Sequence, residues 1–384
     1  MIVDGRSIAP DEELEVDVCI VGAGPVGMTV TDQLRAGGGR VVLLERGSLD
    51  TPAPPPELEF SSPHFEDPVG SRNFQFGGMV PTWNSYLPDG SPAARYLPLE
   101  PIDLDERWWV PHSGWPITYE SLLPYLERAR ARCGVPSFDP LAQDGVDPVR
   151  RPIVTTTGDL VTRLDQIGPA SAFDLGSLPD LATDPRITLI HSVVATELRP
   201  QGGDRAVTTH VRSHHGSSFR VRSRFVLLAG GAIENARLLL SSTAWHPDGL
   251  GNRDDNVGRF FMDHPRIQLG HGQLASAASA DGLGLYETHD TGSGVFVGKL
   301  TLSAAAMRRQ HLLNGNMQLA PHHLTARELS AVRSAKRVFT GARGRRWPDH
   351  ARHHVTRVAA GGRPAGLARV RARARPAGRA TTGA

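Results

Sequence analysis

Residues Val16–Gly47 read VDVCIVGAGPVGMTVTDQLRAGGGRVVLLERG, and this stretch decides the fold. It opens on Val16, Val18, Ile20 and Val21, a β-branched run suited to a buried parallel strand. Gly22-Ala23-Gly24-Pro25-Val26-Gly27 follows at once, then a helix-compatible segment to about Ala36 and a second apolar run, Val41–Leu44, ending in Glu45. Gly22 permits a tight turn out of the strand, Gly24 leaves the backbone open to a pyrophosphate, and Gly27 lets the helix lie close on the strand. The helix N-terminus offers unpaired N–H groups and a positive dipole end to the phosphates. Glu45, 18 residues beyond Gly27, stands where a carboxylate accepts hydrogen bonds from ribose hydroxyls. A glycine triplet alone is a weak signal. With strand, helix and acidic residue agreeing around it, the stretch predicts dinucleotide binding without saying which dinucleotide.

Outward from that stretch, 384 residues are enough for two or three domains and a large core. No run of 18 apolar residues suggests a membrane span, and the acidic first fifteen residues lack the apolar segment of a secretory signal. Cys19 reads as a small core residue in mid-strand and Cys133 as lying at a helix end, so neither a disulfide framework nor a thiolate metal site is expected. A reducing, cytoplasmic setting is the expectation. The net charge of +2 is uneven: residues 341–384 carry eleven Arg and one acidic residue, which leaves the rest of the chain net negative. A negatively charged body argues against a nucleic-acid partner.

After Gly47 the four prolines of Thr51–Glu57 read as an irregular loop. Ser71–Asn84, SRNFQFGGMVPTWN, follows. Gly77 and Gly78 offer either a backbone concavity for a second face of a cofactor or an ordinary surface turn. Arg72 suits a phosphate or a surface salt bridge. The residues alone leave both pairs of readings open. Thr118 is the predicted N-cap of a helix from about Tyr119 to Arg132, with Leu122, Leu123, Leu126 and Ala129 as a core-facing stripe. Trp108, Trp109 and Trp115 are read as packing residues. Ile187–Ile190 and Val193–Thr196 read as a strand pair. Gly294–Leu300 reads as a strand of a second sheet and Leu324–Val338 as a helix.

The order of five pieces resembles the glucose–methanol–choline (GMC) oxidoreductases, FAD-dependent alcohol oxidases and dehydrogenases. These pieces are VGAGPVG, the Arg-then-FGG segment, SGWPITYESLLPYLERAR, RFVLLAGGAIENARLLLS at Arg224–Ser241, and VGRFFMDHP at Val257–Pro265. They span most of residues 16–265, and the similarity is greatest to the branch of pyranose oxidases and sugar dehydrogenases. The resemblance implies an α/β fold: a Rossmann-type FAD-binding domain over 1–265 with loop insertions, and a partial sheet-based substrate domain over 266–340. It implies that Gly22, Gly24, Gly27 and Glu45 hold the FAD pyrophosphate and ribose, and that Gly77, Gly78 and Asn84 lie along the pyrophosphate and flavin edge. The backbone of Val194 would meet the adenine, with Ala229 and Gly230 under the cofactor. Pyranose oxidases carry a flavin-bonded His shortly after their GGM; Thr82 stands at that position here, so the FAD is expected to be non-covalent.

Residues 341–384 contain one Leu and no Ile, Phe or Met. Such a segment cannot bury enough apolar surface to offset an ordering cost of roughly 1–2 kcal/mol per residue, and a basic, disordered tail is expected. Its Arg/Ala/Gly/Pro composition is also that of GC-rich DNA read out of frame, so a frame slip between residues 320 and 345 is the hypothesis. GMC enzymes place their catalytic His, with a partner His or Asn, in a C-terminal segment with HxxGT-like text, and none is found here. His264 reads as structural. His322, His323, His350, His353 and His354 lie in or near the aberrant region, so the base needed within ~3 Å of a substrate hydroxyl is left unassigned. The expected function is FAD-dependent oxidation of an alcohol group of a sugar, aminosugar or polyol, with the electron acceptor and the activity of a chain lacking that C-terminal segment left open. The alternatives are a non-catalytic FAD-binding remnant and a flavin monooxygenase.

Overall fold

The computed structural model describes residues 1–49, 72–83, 85–137, 150, 152, 158–202, 206–263, 267, 270 and 283–319. Asn84, His264, the Thr51–Glu57 loop, the helix expected at Leu324–Val338 and the 341–384 tail lie outside the described residues.

In chain order the strands begin with β1 (Ile2–Asp4), β2 (Glu13–Val21) and β3 (Val41–Leu44), with helix α1 (Pro25–Ala36) between the last two. Then come β4 (Ala93–Tyr96), helices α2 (Pro101–Leu104) and α3 (Tyr119–Arg132), and β5 (Leu160–Pro169). Helix α4 (Pro179–Thr183) precedes β6 (Ile187–His191), β7 (Val193–Pro200), β8 (Val207–Ser213) and β9 (Ser218–Leu228). Helix α5 (Ala232–Ser241), β10 (His289–Asp290), β11 (Val295–Leu302), α6 (Ala304–Gln310) and β12 (Asn316–Met317) complete the order.

Seven strands form the first sheet in the order β1-β6-β3-β2-β9-β8-β7. Its first five members run parallel, and β7, β8 and the start of β9 form an antiparallel meander. All four residues of β3 are buried, as a parallel strand covered on both faces requires. Alternate residues feed two cores. Cys19, Val42, Leu44 and Ile190 pack with Leu238 of α5 on one face; Ile20, Val41, Leu43 and Leu189 pack with Met28 of α1 and Leu181 of α4 on the other. Burial pushes the Cys19 thiol up to about 12, so it is an inert core residue, as its mid-strand position suggested.

The second sheet is antiparallel, in the order β10-β11-β5-β4 with β12 on β11. It includes the strand expected at Gly294–Leu300, and it also takes Ala93–Tyr96 and Leu160–Pro169 from the earlier part of the chain. A linear division at residue 265 therefore does not follow the sheets. On one face, Asp165 is 1% exposed and its Oδ2 lies 3.2 Å from Lys299 Nζ, itself 4% exposed, and 3.6 Å from Arg95 Nε. Removing Asp165 would take a carboxylate away from a buried ammonium. Asp165→Ala is expected to cost about 3–5 kcal/mol. Asp159→Ala, which breaks an exposed pair with Arg309, should cost under about 1 kcal/mol. Urea midpoints of the two variants check the contrast.

Helix α3 starts where expected, with Thr118 Oγ1 accepting from Ser121 N–H at 3.2 Å. Its stripe is not core: none of its residues is buried, and Leu123 is 46% exposed. Leu122 and Leu126 alone turn partly inward, because the helix lies on the surface beside Tyr96, whose hydroxyl donates to Leu126 O at 2.7 Å. The packing role expected of the tryptophans is likewise corrected for Trp108 and Trp115, both mostly exposed. Trp109 is half-buried, against His311 and Trp108.

Candidate functional site: a glycine-floored cavity

At the carboxyl ends of β2, β3 and β9 the chain leaves the sheet in three turns, and a cavity of about 550 Å³ opens above them. The turn after β2 sets its floor. Gly22 has φ +103°, and a Cβ there would fall 2.6 Å from Ala229 O. A Cβ on Gly27 would lie 1.9 Å from Gly22 O, so only glycine lets α1 come this close to the strand. Gly24 differs: its φ is an ordinary −71°, and a Cβ would meet nothing within 4 Å. What a side chain at Gly24 would fill is the cavity itself, beside the first turn of α1, whose N–H groups ahead of Met28 lie outside the helix ladder. Close backbone approach thus constrains Gly22 and Gly27, and nothing nearby constrains Gly24.

Glu45 ends β3 and is 6% exposed. Its Oε2 accepts from Ala23 N–H at 2.8 Å and its Oε1 from Gly47 N–H at 2.7 Å, stapling the exit of β2 to the loop after β3. A carboxylate has about four acceptor sites, so Glu45 keeps acceptor capacity beyond its backbone donors. Burial pushes its pKa up to about 7, against the opposing pull of the backbone donors of Gly47 and Ala23.

The Gly77-Gly78 turn docks on the first turn. Gly77 N–H donates to Ala23 O at 2.9 Å, and a Cβ on Gly78 would approach Gly24 Cα to 3.0 Å. Gly78 lines the cavity while Gly77 anchors behind it. After β9 the Ala229–Gly231 turn is held by Asn235, whose Oδ1 accepts from Gly230 N–H at 2.9 Å while its Nδ2 donates to Leu228 O at 3.2 Å.

The cavity thus brings together Gly22, Gly24, Glu45, Arg72, Gly78, Val194, Ala229 and Gly230. Gly27 and Gly77 support it from behind. Arg46, Phe74, Glu234, Asn235, Arg237 and Phe261 also line it, and the sequence did not single them out. Two signals were available: Arg46 follows the strand-end acid directly, and Glu234 and Asn235 fall in the first turn after the Ala-Gly-Gly exit. The positions of Phe74 and Phe261 carried none. Arg46, Arg72 and Arg237 gather around Glu234 here. Glu234 takes Arg72 on Oε1 and Arg237 Nε on Oε2 at 2.7 Å, and the Arg46 guanidinium lies 4.5 Å from the centre of the Phe74 ring. Burial lowers the Arg46 pKa.

A parallel sheet with helices on both faces and a glycine-floored, acid-edged, cation-rimmed cavity at its strand ends define a dinucleotide-binding protein. Residues 15–55 match the family described as FAD binding domain. The protein is a mixed α/β protein with an FAD-binding domain, and its cofactor is FAD.

Among curated proteins, the chain is 26% identical over 325 residues to a 2-methyl-1,2-propanediol dehydrogenase of Mycolicibacterium austroafricanum, covering 65% of this chain and 55% of that one. It is 28% identical over 294 residues to a 6'''-hydroxyparomomycin C oxidase of Streptomyces lividus, covering 63% and 53%. The chain therefore spans about half the length of these relatives. Among solved structures it overlaps a pyridoxine 4-oxidase from Mesorbium loti at 19% identity and a TM-score of 0.37, over 59% of this chain and 51% of that one. Among the described residues no helix is long and apolar enough to cross a membrane, and no group of three or more His, Cys, Asp or Glu could hold a metal ion.

Proposed function

We propose that this protein is an FAD-dependent oxidoreductase of the GMC type that oxidises the CH–OH group of a small polyol, sugar or aminosugar. One observation carries the cofactor half of this reading: Gly24 lines the cavity, and an added Cβ there would meet no atom within 4 Å. The substrate half is supported by two relatives, one named for a diol and the other for a hydroxylated paromomycin.

In this reading Gly24 and the α1 N-terminus receive the diphosphate, with Gly22 and Gly27 shaping the turn beneath it. Glu45 accepts from the ribose hydroxyls, and the Val194 backbone borders the adenine. Ala229 and Gly230 lie under the cofactor, with Asn235 fixing their turn. Gly78 faces the diphosphate from the opposite wall, with Gly77 behind it, and Arg72 contributes positive charge at the rim. Bound flavin supplies a two-electron acceptor for the hydride of a carbinol carbon. Among the described residues none is assigned the base. Thr82 donates its hydroxyl to Met79 O at 2.9 Å and has no ring nitrogen for a flavin bond, so the FAD is held without a covalent link.

Anaerobic mixing with 2-methyl-1,2-propanediol and with aminoglycosides carrying a free hydroxymethyl group tests the reading. Bleaching of the bound flavin by one of them is expected, as is full release of FAD into the supernatant on acid precipitation. A flavin that no alcohol reduces would favour a non-catalytic FAD-binding protein, and one reduced by NADPH would favour a monooxygenase.

A further inference from the structure

Arg72 and Glu234 are 162 residues apart in sequence, both line the cavity, and they pair with each other there, their side chains only 11% and 16% exposed. They belong to different walls. The 72–79 segment is fastened to the glycine floor, through Gly77 N–H on Ala23 O and through the close approach of Phe74 O to Gly47. Glu234 belongs to the first turn of α5, the wall raised by β9. Its two oxygens are divided between Arg72 and Arg237, so one carboxylate fixes two cations at the rim. A pair this buried is poorly screened by solvent, and a charged partner left behind on truncation is costly.

The geometry points to Glu234 as a positioning residue for the cofactor: it clasps the Arg72 segment to α5 over the cavity and thereby sets how slowly FAD leaves. This rests on the assignment of FAD to the cavity. Such a role acts on dissociation more than on encounter, because a buried charge pair that must open before escape lengthens residence. Direct neutralisation of the diphosphate by Arg72 would make a different prediction, since Glu234 would then compete with the ligand and its removal would tighten binding.

Stopped-flow fluorescence of FAD release from the holoprotein separates the two. Glu234→Gln is expected to release FAD about 10-fold faster, with an apoprotein melting temperature within a few degrees of wild type. Arg72→Glu and Glu234→Arg should each accelerate release, and the exchanged pair in one chain should recover most of the wild-type residence time. Should Glu234→Gln fail to fold, the exchanged pair and Glu234→Asp carry the same readout. Slower or unchanged release from Glu234→Gln overturns the clasp, as does an exchanged pair no better than Arg72→Glu alone. Wild-type protein that binds no FAD at all would instead remove the cofactor reading beneath it.

Discussion

Gly24→Val is expected to give a protein that folds and does not bind flavin. The backbone at Gly24 has φ −71° and ψ −176°, open to any L-residue, and a Cβ there meets no atom within 4 Å. The folded apoprotein therefore loses little: exchanging glycine for an apolar residue at a helix N-cap costs up to about 1 kcal/mol. At this chain length that lowers the melting temperature by only about 1 °C. The isopropyl group instead occupies the space in front of the α1 N-terminus, and affinity for FAD is expected to fall at least about 100-fold, or about 2.7 kcal/mol. Gly27→Val is the contrast. Its Cβ would sit 1.9 Å from Gly22 O, a backbone atom that cannot swing aside. The helix must then leave the sheet, and the expected result is insoluble or unfolded protein. Flavin fluorescence quenching and circular dichroism on both variants distinguish a lost ligand from a lost fold. Retained flavin binding by Gly24→Val would mean that the diphosphate lies elsewhere.

The second large effect concerns Glu45 and pH. Its folded pKa of about 7 stands above the 4.5 of the free group, and burial is the dominant cause. A carboxyl with a raised folded pKa contributes stability that is fully present below its unfolded value and is lost as pH rises through the folded one. Wild-type apoprotein should therefore lose stability relative to Glu45→Gln as pH rises from about 4.5 to about 7, by up to about 3 kcal/mol across the window. Above that window the difference should be flat. The comparison is made as a difference because His210 and His214 also titrate at lowered pKa and act in the opposite direction; they are common to both proteins and cancel. Chemical denaturation from pH 4 to 8 gives the curve. A pH-independent difference would show that Glu45 titrates alike in the folded and unfolded chain, so that burial does not raise its pKa.

Much of the first sheet was legible because its signals are local. Val41–Leu44 is a strand with the bounds read from its apolar run, and α1 ends at Ala36 where the Gly37-Gly38-Gly39 run begins. Thr118 caps its helix through its own hydroxyl. Where the reading failed, the deciding contacts were distant. An apolar stripe on α3 says that a face is available for burial and not that anything covers it, and the chain leaves Leu123 exposed. The second sheet escaped a linear division because its neighbours β5 and β11 are joined by a register pairing Leu160 with Leu302, which no local pattern announces.

The sequence by itself determined the dinucleotide turn, since Gly22, Gly24 and Gly27 act through the presence or absence of a single Cβ within one strand–turn–helix unit. The tertiary structure alone decided what surrounds that turn: Gly78 against Gly24, Asn235 under Gly230, and Arg72 on Glu234 in the cavity lining. The physical reason is range. A turn is specified by backbone sterics over a few residues, whereas an ion pair between buried side chains exists only after the whole sheet has brought two distant walls together.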